Sequence, residues 1–406
     1  MRILQLCKKF PYPLKDGESI AITCLARALH ELGCSVDLLA MNTHKHWVDT
    51  ESLPDHFNHY TRMETVGIDN RIKPFDAFRN LFGSQSYHIE RFIDSNFATA
   101  LERLLQQHQY DVVQLETLYL APYIPVIRKH SSALVAMRAH NVEHEIWERI
   151  AANSPPLKRW YLQRITPRLK AYEVAQLNQY DLMVGITRRD VDQFISLGMH
   201  IPATVTPIGI DSRAYQPDDS SFHRPLSISF IGSLDWMPNI EGLRWFLYQV
   251  WVPLVVPRHP ELTFHIAGRN TPAWLKRLQL PRVVVHGEVD QAADFINQHS
   301  VMIVPLLSGG GMRAKVLEGM ALRKVVLSTP MGMEGIEARH QQECLIATSP
   351  ADFAAAITWC VAQSDALAAL GRQGQRFCAQ QYDNLEIARV LIGVYSSTMG
   401  KQPVLA

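Results

Sequence analysis

Short β-branched runs alternate with longer helical patterns along the whole chain, and the alternation stops once and then restarts. In the first half the runs are "RILQLC" (2–7), "SVDLLAM" (35–41), "DVVQLE" (111–116), "ALVAMR" (133–138), "DLMVGIT" (181–187) and "ATVTPI" (203–208). Between the first two lies "SIAITCLARALHELG", where Ile20, Cys24, Leu25, Ala28, Leu29 and Leu32 recur on one helical face before Gly33 ends the pattern. From 209 to 225, "GIDSRAYQPDDSSFHRP" is polar and Pro-containing without a period, so it reads as a linker. The runs resume as "LSISFIG" (226–232), "LTFHIAG" (262–268), "VVVHG" (283–287), "VMIVPL" (301–306) and "KVVLST" (324–329), with helices alone from about 351 onward.

Repeated β-α units make parallel sheets covered by helices on both faces. The expected fold class is therefore α/β: two Rossmann-like, doubly wound parallel-sheet domains facing a cleft. The expected boundaries are 1–208 for the first domain, 209–225 for the linker and 226–380 for the second domain. Residues 381–406 are expected to form a helix that crosses back to the first domain. Ligands of open α/β sheets sit outside the carboxyl ends of the strands, so candidate chemistry belongs in the loops that follow them.

A formal net charge of +1 over 406 residues gives no support to nucleic-acid binding, which would show a basic excess. Six scattered cysteines without a C-x-x-C pair read as buried small hydrophobes of a reducing compartment. The amino terminus lacks the order of a signal peptide. No apolar run approaches the ~20 residues of a membrane helix, and "VWVPLVVP" is broken by prolines. A cytoplasmic location is expected. Peripheral contact with the inner face of the cell membrane stays open, because "PLKRWYLQRITPRLKAYE" (156–173) interleaves basic and aromatic residues. Its alternative is an amphipathic helix packed on the first domain, which Pro167 should kink or end.

The densest signal is "LSGGGMRAKVLEGMALRKVVLSTP" (307–330), directly after a strand. Gly309, Gly310 and Gly311 free the backbone for a tight turn and close ligand approach. A helix starting near Met312 would bring unpaired N–H donors and partial positive charge. Arg313 and Lys315 add two full charges where the macrodipole prefers acids, which makes sense if an anion completes the site. Glu318 follows one turn beyond Ala314, and a carboxylate accepts two hydroxyl hydrogen bonds, as a ribose diol would offer. Phosphate ahead of ribose describes a nucleotide. The glycines fit neither a Walker loop nor a G-x-G-x-x-G turn.

Taken in order, "KFPYPLKDGESIAI", "RAHNVEH", "TPIGID", "FIGSLDWMPNIEGLRWF", "IAGR", "VVVHGEVD" and "SGGGMRAKVLEGMA…KVVLST" resemble the group 1, or family 4, glycosyltransferases of the GT-B fold. The resemblance covers nearly the whole chain. It implies a nucleotide-diphosphate sugar as donor, a glycan or lipid-linked acceptor, a role in polysaccharide biosynthesis, retention of configuration, and neither cofactor nor metal. It makes the first domain the acceptor side and the second the donor side. Arg313 and Lys315 would hold the diphosphate, Glu318 the ribose, and Gly232, Gly309, Gly310 and Gly311 would lie against the donor. Asp16 and Gly17 would close on the diphosphate from the first domain. The stretch His286, Gly287, Glu288 and Val289 would meet the base, and His140 the transferred sugar. Three positions depart from the family pattern. Gly310 stands where the first glutamate of E-x7-E belongs, Ser233 and Asn239 replace basic residues, and Asp16 precedes Gly17 in place of a second glycine.

"HNVEH" (140–144) also spells H-x-x-E-H, used by one class of zinc peptidases. Such a pair must lie on one continuous helix. Here the helix is expected to start at Asn141 as N-cap, leaving His140 before it and His144 inside it. The zinc reading therefore yields to a functional His140 or a purely structural one. Asp190-x-Asp192, after Thr187, reads as the acidic start of a helix. Two rivals to transfer stay open: a nucleotide-sugar-binding paralogue without catalysis, suggested by Gly310, Ser233 and Asn239, and a sugar-nucleotide epimerase on the same scaffold.

Overall fold

The structure is a computed structural model and describes all residues except 15–16, 55–56, 72–79, 81–82, 84–85, 310 and 401–406. The chain divides into two compact units, Met1–Ile208 with Asn384–Ala406, and Gly209–Asp383.

The first unit holds a seven-stranded sheet: β1 (Arg2–Cys7), β2 (Ser35–Thr43), β3 (Arg62–Ile68), β4 (Val112–Leu115), β5 (Leu134–Ala139), β6 (Leu182–Gly185) and β7 (Ala203–Val205). Every pairing is parallel, in the order β3-β2-β1-β4-β5-β6-β7. Central strands β4, β5 and β6 are buried at every position, so they are apolar on both faces rather than alternating, with Gln114 and Arg138 as buried polar exceptions. Strand β3, "RMETVGI", has no counterpart among the expected strands. It lies at the sheet edge with its first two residues exposed.

The helix Gly17–Glu31 packs Ile22, Leu25 and Leu29 onto one face of this sheet. Gly33, at φ +80°, closes it: Cys34 N reaches Leu29 O at 3.0 Å and Gly33 N reaches His30 O at 2.9 Å. The final helix, Asn384–Thr398, adds Ile387, Leu391 and Tyr395 to the same core. The long helix Pro156–Gln176 runs through Pro167 instead of ending there.

The second unit holds β8 (Ser227–Ile231), β9 (Thr263–Ala267), β10 (Val283–Gly287), β11 (Val301–Val304), β12 (Val325–Ser328) and β13 (Leu345–Ile346), in the order β10-β9-β8-β11-β12-β13. Residues 209–225 belong to this unit. Buried Lys324 anchors them, its Nζ donating to Ser221 Oγ at 3.0 Å and to the carbonyl of Asp218. The segment "VWVPLVV" is helical despite its proline. The helix Met237–Trp245 passes into a π-helical stretch, Phe246–Val255, that includes Pro253 and buries Phe246, Leu247, Val250 and Trp251. Among the described residues no single helix is long and apolar enough to cross a membrane.

Each sheet reverses its strand order once, between β1 and β4 and between β8 and β11. At such a point the loops on either side diverge and open a crevice beyond the carboxyl ends of the strands.

Candidate functional site

The crevice of the second unit is floored by glycine. After β8 comes Gly232 and after β9 comes Gly268, so close that a Cβ on Gly268 would stand 1.8 Å from the carbonyl oxygen of Gly232. A Cβ on Gly232 would in turn stand 2.8 Å from Asn239 Nδ2 and 3.1 Å from Lys315 Nζ. Only glycine lets the two turns and these side chains share the space.

On the other side of the reversal, β11 leads into the glycine turn. Ser308 Oγ donates to Glu241 Oε2 at 2.6 Å, Gly309 has φ +104° and Gly311 has φ +85°, values that favour glycine. Gly310 lies outside the described residues. The helix Ala314–Ala321 follows, with Arg313 as its N-cap in extended conformation and no side-chain cap. The positive end of its macrodipole therefore faces the turn that Arg313 closes.

Arg313 is buried, its guanidinium lying 5.0 Å from the ring centroid of Trp236. Burial pulls its pKa down, against the opposing charge of Glu334. Lys315 Nζ donates to Asn239 Oδ1 at 2.8 Å and to the carbonyl of Ile231 at 3.3 Å, and lies 4.6 Å from the centre of the Phe230 ring. Burial, then the charge of Arg313, lower its pKa to about 7, with Glu318 pulling the other way. Asn239 is itself fixed, since its Nδ2 donates to the carbonyl of Ser233 at 2.9 Å. A neutral amide thus holds the ammonium where the resemblance leads one to expect more positive charge. Glu318 accepts from Tyr215 Oη at 3.3 Å, and burial raises its pKa.

Strand β10 ends at Gly287, with φ +77°, and the carbonyl of Gly287 accepts from Gly268 N at 2.7 Å. His286 does not stand alone beside it: its Nε2 lies 2.9 Å from Nδ1 of His265 on β9. Its pKa is lowered by burial.

In the first unit Gly17 begins the helix Gly17–Glu31, and its neighbour Glu18 pairs with Lys8 at 3.2 Å. Asp16 lies outside the described residues. His140 follows β5, and its Nε2 lies 2.8 Å from Oε2 of Glu116, which follows β4. The helix after it starts at Glu143, with Val142 rather than Asn141 as N-cap. Its first donors go to a distant partner: Glu173 Oε1 accepts from Glu143 N at 2.9 Å and Oε2 from His144 N at 3.2 Å. A buried carboxylate at the helix start does the work expected of Asn141, with the favourable sign for the dipole. Glu173 Oε2 also lies 2.6 Å from His144 Nδ1. The two histidines of "HNVEH" are thus held by different glutamates. Among the described residues no group of three or more His, Cys, Asp or Glu is arranged to hold a metal ion.

Glu116, Trp236, Tyr215 and Glu173 were not singled out from the sequence. Only Glu116 carried a usable hint, as an acid at the carboxyl end of the strand pattern "DVVQLE".

Residues 225–363 match the family model described as glycosyl transferases group 1. A Klebsiella pneumoniae protein described as an uncharacterized 44.6 kDa protein in the cps region is 21% identical over 373 residues, covering 87% of this chain and 89% of that one. Sucrose-phosphate synthase (tll1590) from Thermosynechococcus elongatus has a similar fold, with a TM-score of 0.66, 16% identity, and 98% of this chain and 100% of that chain covered. So has Anabaena Alr3699/HepE in complex with UDP, with a TM-score of 0.64, 13% identity and the same coverage.

Proposed function

We infer that this chain, a glycosyltransferase of the GT-B fold with a group 1 domain over residues 225–363, moves a glycosyl group from a nucleotide-diphosphate sugar to a glycan or lipid-linked acceptor. The carrying observation is that Arg313 lies against Gly309 and Lys315 against Gly232, on either side of the strand reversal, at the start of the helix Ala314–Ala321, with Glu318 a turn further on. Charge grows on the departing diphosphate in the transition state, and cations already in place lower its energy without reorganising. Arg313 offers a planar fork to phosphate oxygens and Lys315 a point charge. Glu318 accepts the ribose hydroxyls, and His140 meets the sugar. Gly232, Gly309, Gly311 and Gly287 bring backbone to the donor. Two cations at the leaving group supply the charge that a metal would otherwise bring, and retention of configuration follows from the family resemblance alone.

The neighbour in fold that is solved with UDP supports a uridine nucleotide as the first donor to try, and the relative from a cps region supports a growing polysaccharide as the acceptor. The reaction belongs in the cytoplasm, against a membrane that carries the acceptor. Supporting this, the helix Pro156–Gln176 leaves Leu157 82% and Trp160 51% exposed beside exposed Lys158, Arg159 and Arg164.

Lys315→Ala and Arg313→Ala should each lower turnover by ~100-fold or more, the scale of removing one donor from a charged transition state. Nucleotide release from UDP- and GDP-sugars measures this. Near-normal rates in both variants would sink the diphosphate assignment.

A further inference from the structure

The crevice of the first unit contains a carboxylate that the reaction scheme above leaves unused. Glu116 is fully buried at the carboxyl end of β4, beside the strand reversal. Its Oε2 accepts from Arg138 Nη1 at 3.3 Å and faces His140 Nε2 at 2.8 Å. Its Oε1 accepts from Gln5 Nε2 at 2.5 Å and from Gln114 Nε2. Both amides are oriented by a second ring of donors: Tyr60 Oη donates to Gln5 Oε1 at 2.9 Å, and Tyr395 Oη to Gln114 Oε1 at 2.6 Å. With their oxygens taken, the glutamines can only donate to Glu116. Burial alone would raise the carboxyl pKa. The Arg138 charge and the bonds from His140 and Gln114 outweigh it and hold the group at about 2.

A carboxylate kept ionised is an acceptor only, so the proton of a neutral His140 ring must sit on Nε2. Nδ1 then carries the lone pair. Among the described residues His140 Nδ1 makes no hydrogen bond, and the imidazole keeps 6% of its side-chain surface exposed.

We propose that Glu116 is a positioning residue that fixes the tautomer of His140, so that Nδ1 accepts a hydrogen bond from a hydroxyl of the transferred sugar. The inference rests on the reading that His140 meets that sugar. It adds which nitrogen does so, in which chemical role, and which residue enforces it. The arrangement holds the imidazole in one orientation, because five side chains from three strands, one loop and one helix fix its anchor, Arg138, Gln5 and Gln114 directly and Tyr60 and Tyr395 through the glutamines.

The test combines one spectroscopic and one kinetic measurement on the full chain. Long-range proton–nitrogen correlation on 15N-histidine-labelled protein, with the His140 signal identified by its loss in His140→Ala, should show the Nε2–H tautomer. A wild-type Nδ1–H tautomer overturns the proposal without any variant of Glu116. Glu116→Gln keeps the shape, but its one amide oxygen cannot serve Arg138 and His140 on one side and both glutamines on the other, so the Nε2 proton loses its fixed acceptor and the two tautomers should mix. We expect it to lower kcat for nucleotide release from a UDP- or GDP-hexose by ~100-fold or more with donor KM within about threefold. UDP binding should be unchanged. Added to His140→Ala, Glu116→Gln should change kcat by less than about threefold, because the route through the histidine is already gone. An equal loss in both backgrounds means a structural role and overturns the proposal. A Glu116→Gln enzyme of normal kcat overturns it as well, while His140→Ala stays slow. Full turnover by His140→Ala instead removes the underlying reading of the histidine.

Discussion

At Lys315 the tension between burial and charge becomes measurable. Its pKa of about 7 means that the empty site holds the ammonium only part of the time at neutral pH. A diphosphate binds the charged form, so binding must take up a proton wherever the free lysine is neutral. The unfolded chain keeps this proton up to ~10.4, so between about 7 and 10.4 the same group makes the folded state gain stability as pH rises. For the ligand the sign is opposite: affinity for UDP should fall by up to ~10-fold per unit as pH rises above 7. Titration calorimetry at pH 8 in two buffers of different ionisation enthalpy should report close to one proton taken up per UDP, and none in Lys315→Met. A heat independent of buffer would show that the lysine is charged all along. The sequence made Arg313 and Lys315 visible because cations at a helix start break a local rule. It could not show Asn239 or Glu116 in their roles. Lys315 meets Asn239 across 76 residues and Glu116 meets Gln5 across 111, and no local pattern encodes such partners.

Among the elements, buried strands were legible and edges were not. β6 and β11 are short runs of apolar residues that only a covered parallel sheet explains. β3 mixes Arg62, Glu64 and Gly67 into an edge whose pairing to β2 alone makes it a strand. At Pro167 and Pro253 the helices do not end, because the surrounding turns already bury their apolar faces. The cap of the helix Glu143–Ala152 was misread for a related reason: Glu173 arrives from another helix, 30 residues away, and leaves Asn141 without that task. The helix that carries Glu173 is also the one with the exposed Leu157 and Trp160. Lys158, Arg159 and Arg164 flank that apolar tip along the helix, Arg164 lying 5.7 Å from the Trp160 ring centre. Vesicles rich in anionic lipid should therefore sediment the protein at low salt and release it as salt rises. The double variant Leu157→Ser, Trp160→Ser should stay in the supernatant. Equal recovery of both proteins in the supernatant would end the membrane reading.

For the molecule as a whole, the division into units is unequal in its wiring. The second unit is one continuous stretch, whereas the first is assembled from Met1–Ile208 and the returning Asn384–Ala406. The return has no local signature in the sequence. The helix Asn384–Thr398 finds its place because Ile387, Leu391 and Tyr395 fit the face formed by Ile22, Leu25 and Leu29. The second unit has its own apolar core, centred on Phe230, Phe246, Trp251, Phe264 and Phe353, and needs no residue from outside to fill it. Expressed alone, Gly209–Asp383 should fold, melt cooperatively by circular dichroism and retain UDP binding. A product without a cooperative transition would show that the core is not self-sufficient.

The two ends of that stretch are neighbours: Ile210 N donates to the carbonyl of Tyr382 at 2.8 Å, Ile210 pairs with Asp383 as an isolated parallel bridge, and Ser212 N donates to Asp383 Oδ2 at 3.2 Å. An insert whose start and finish are stitched together can be lifted out of one gene and set into another without reshaping the host's backbone. On the proposed function, two crossovers, one at each stitched end, would exchange the preference for the activated sugar as a cassette and leave the flanking unit as it was.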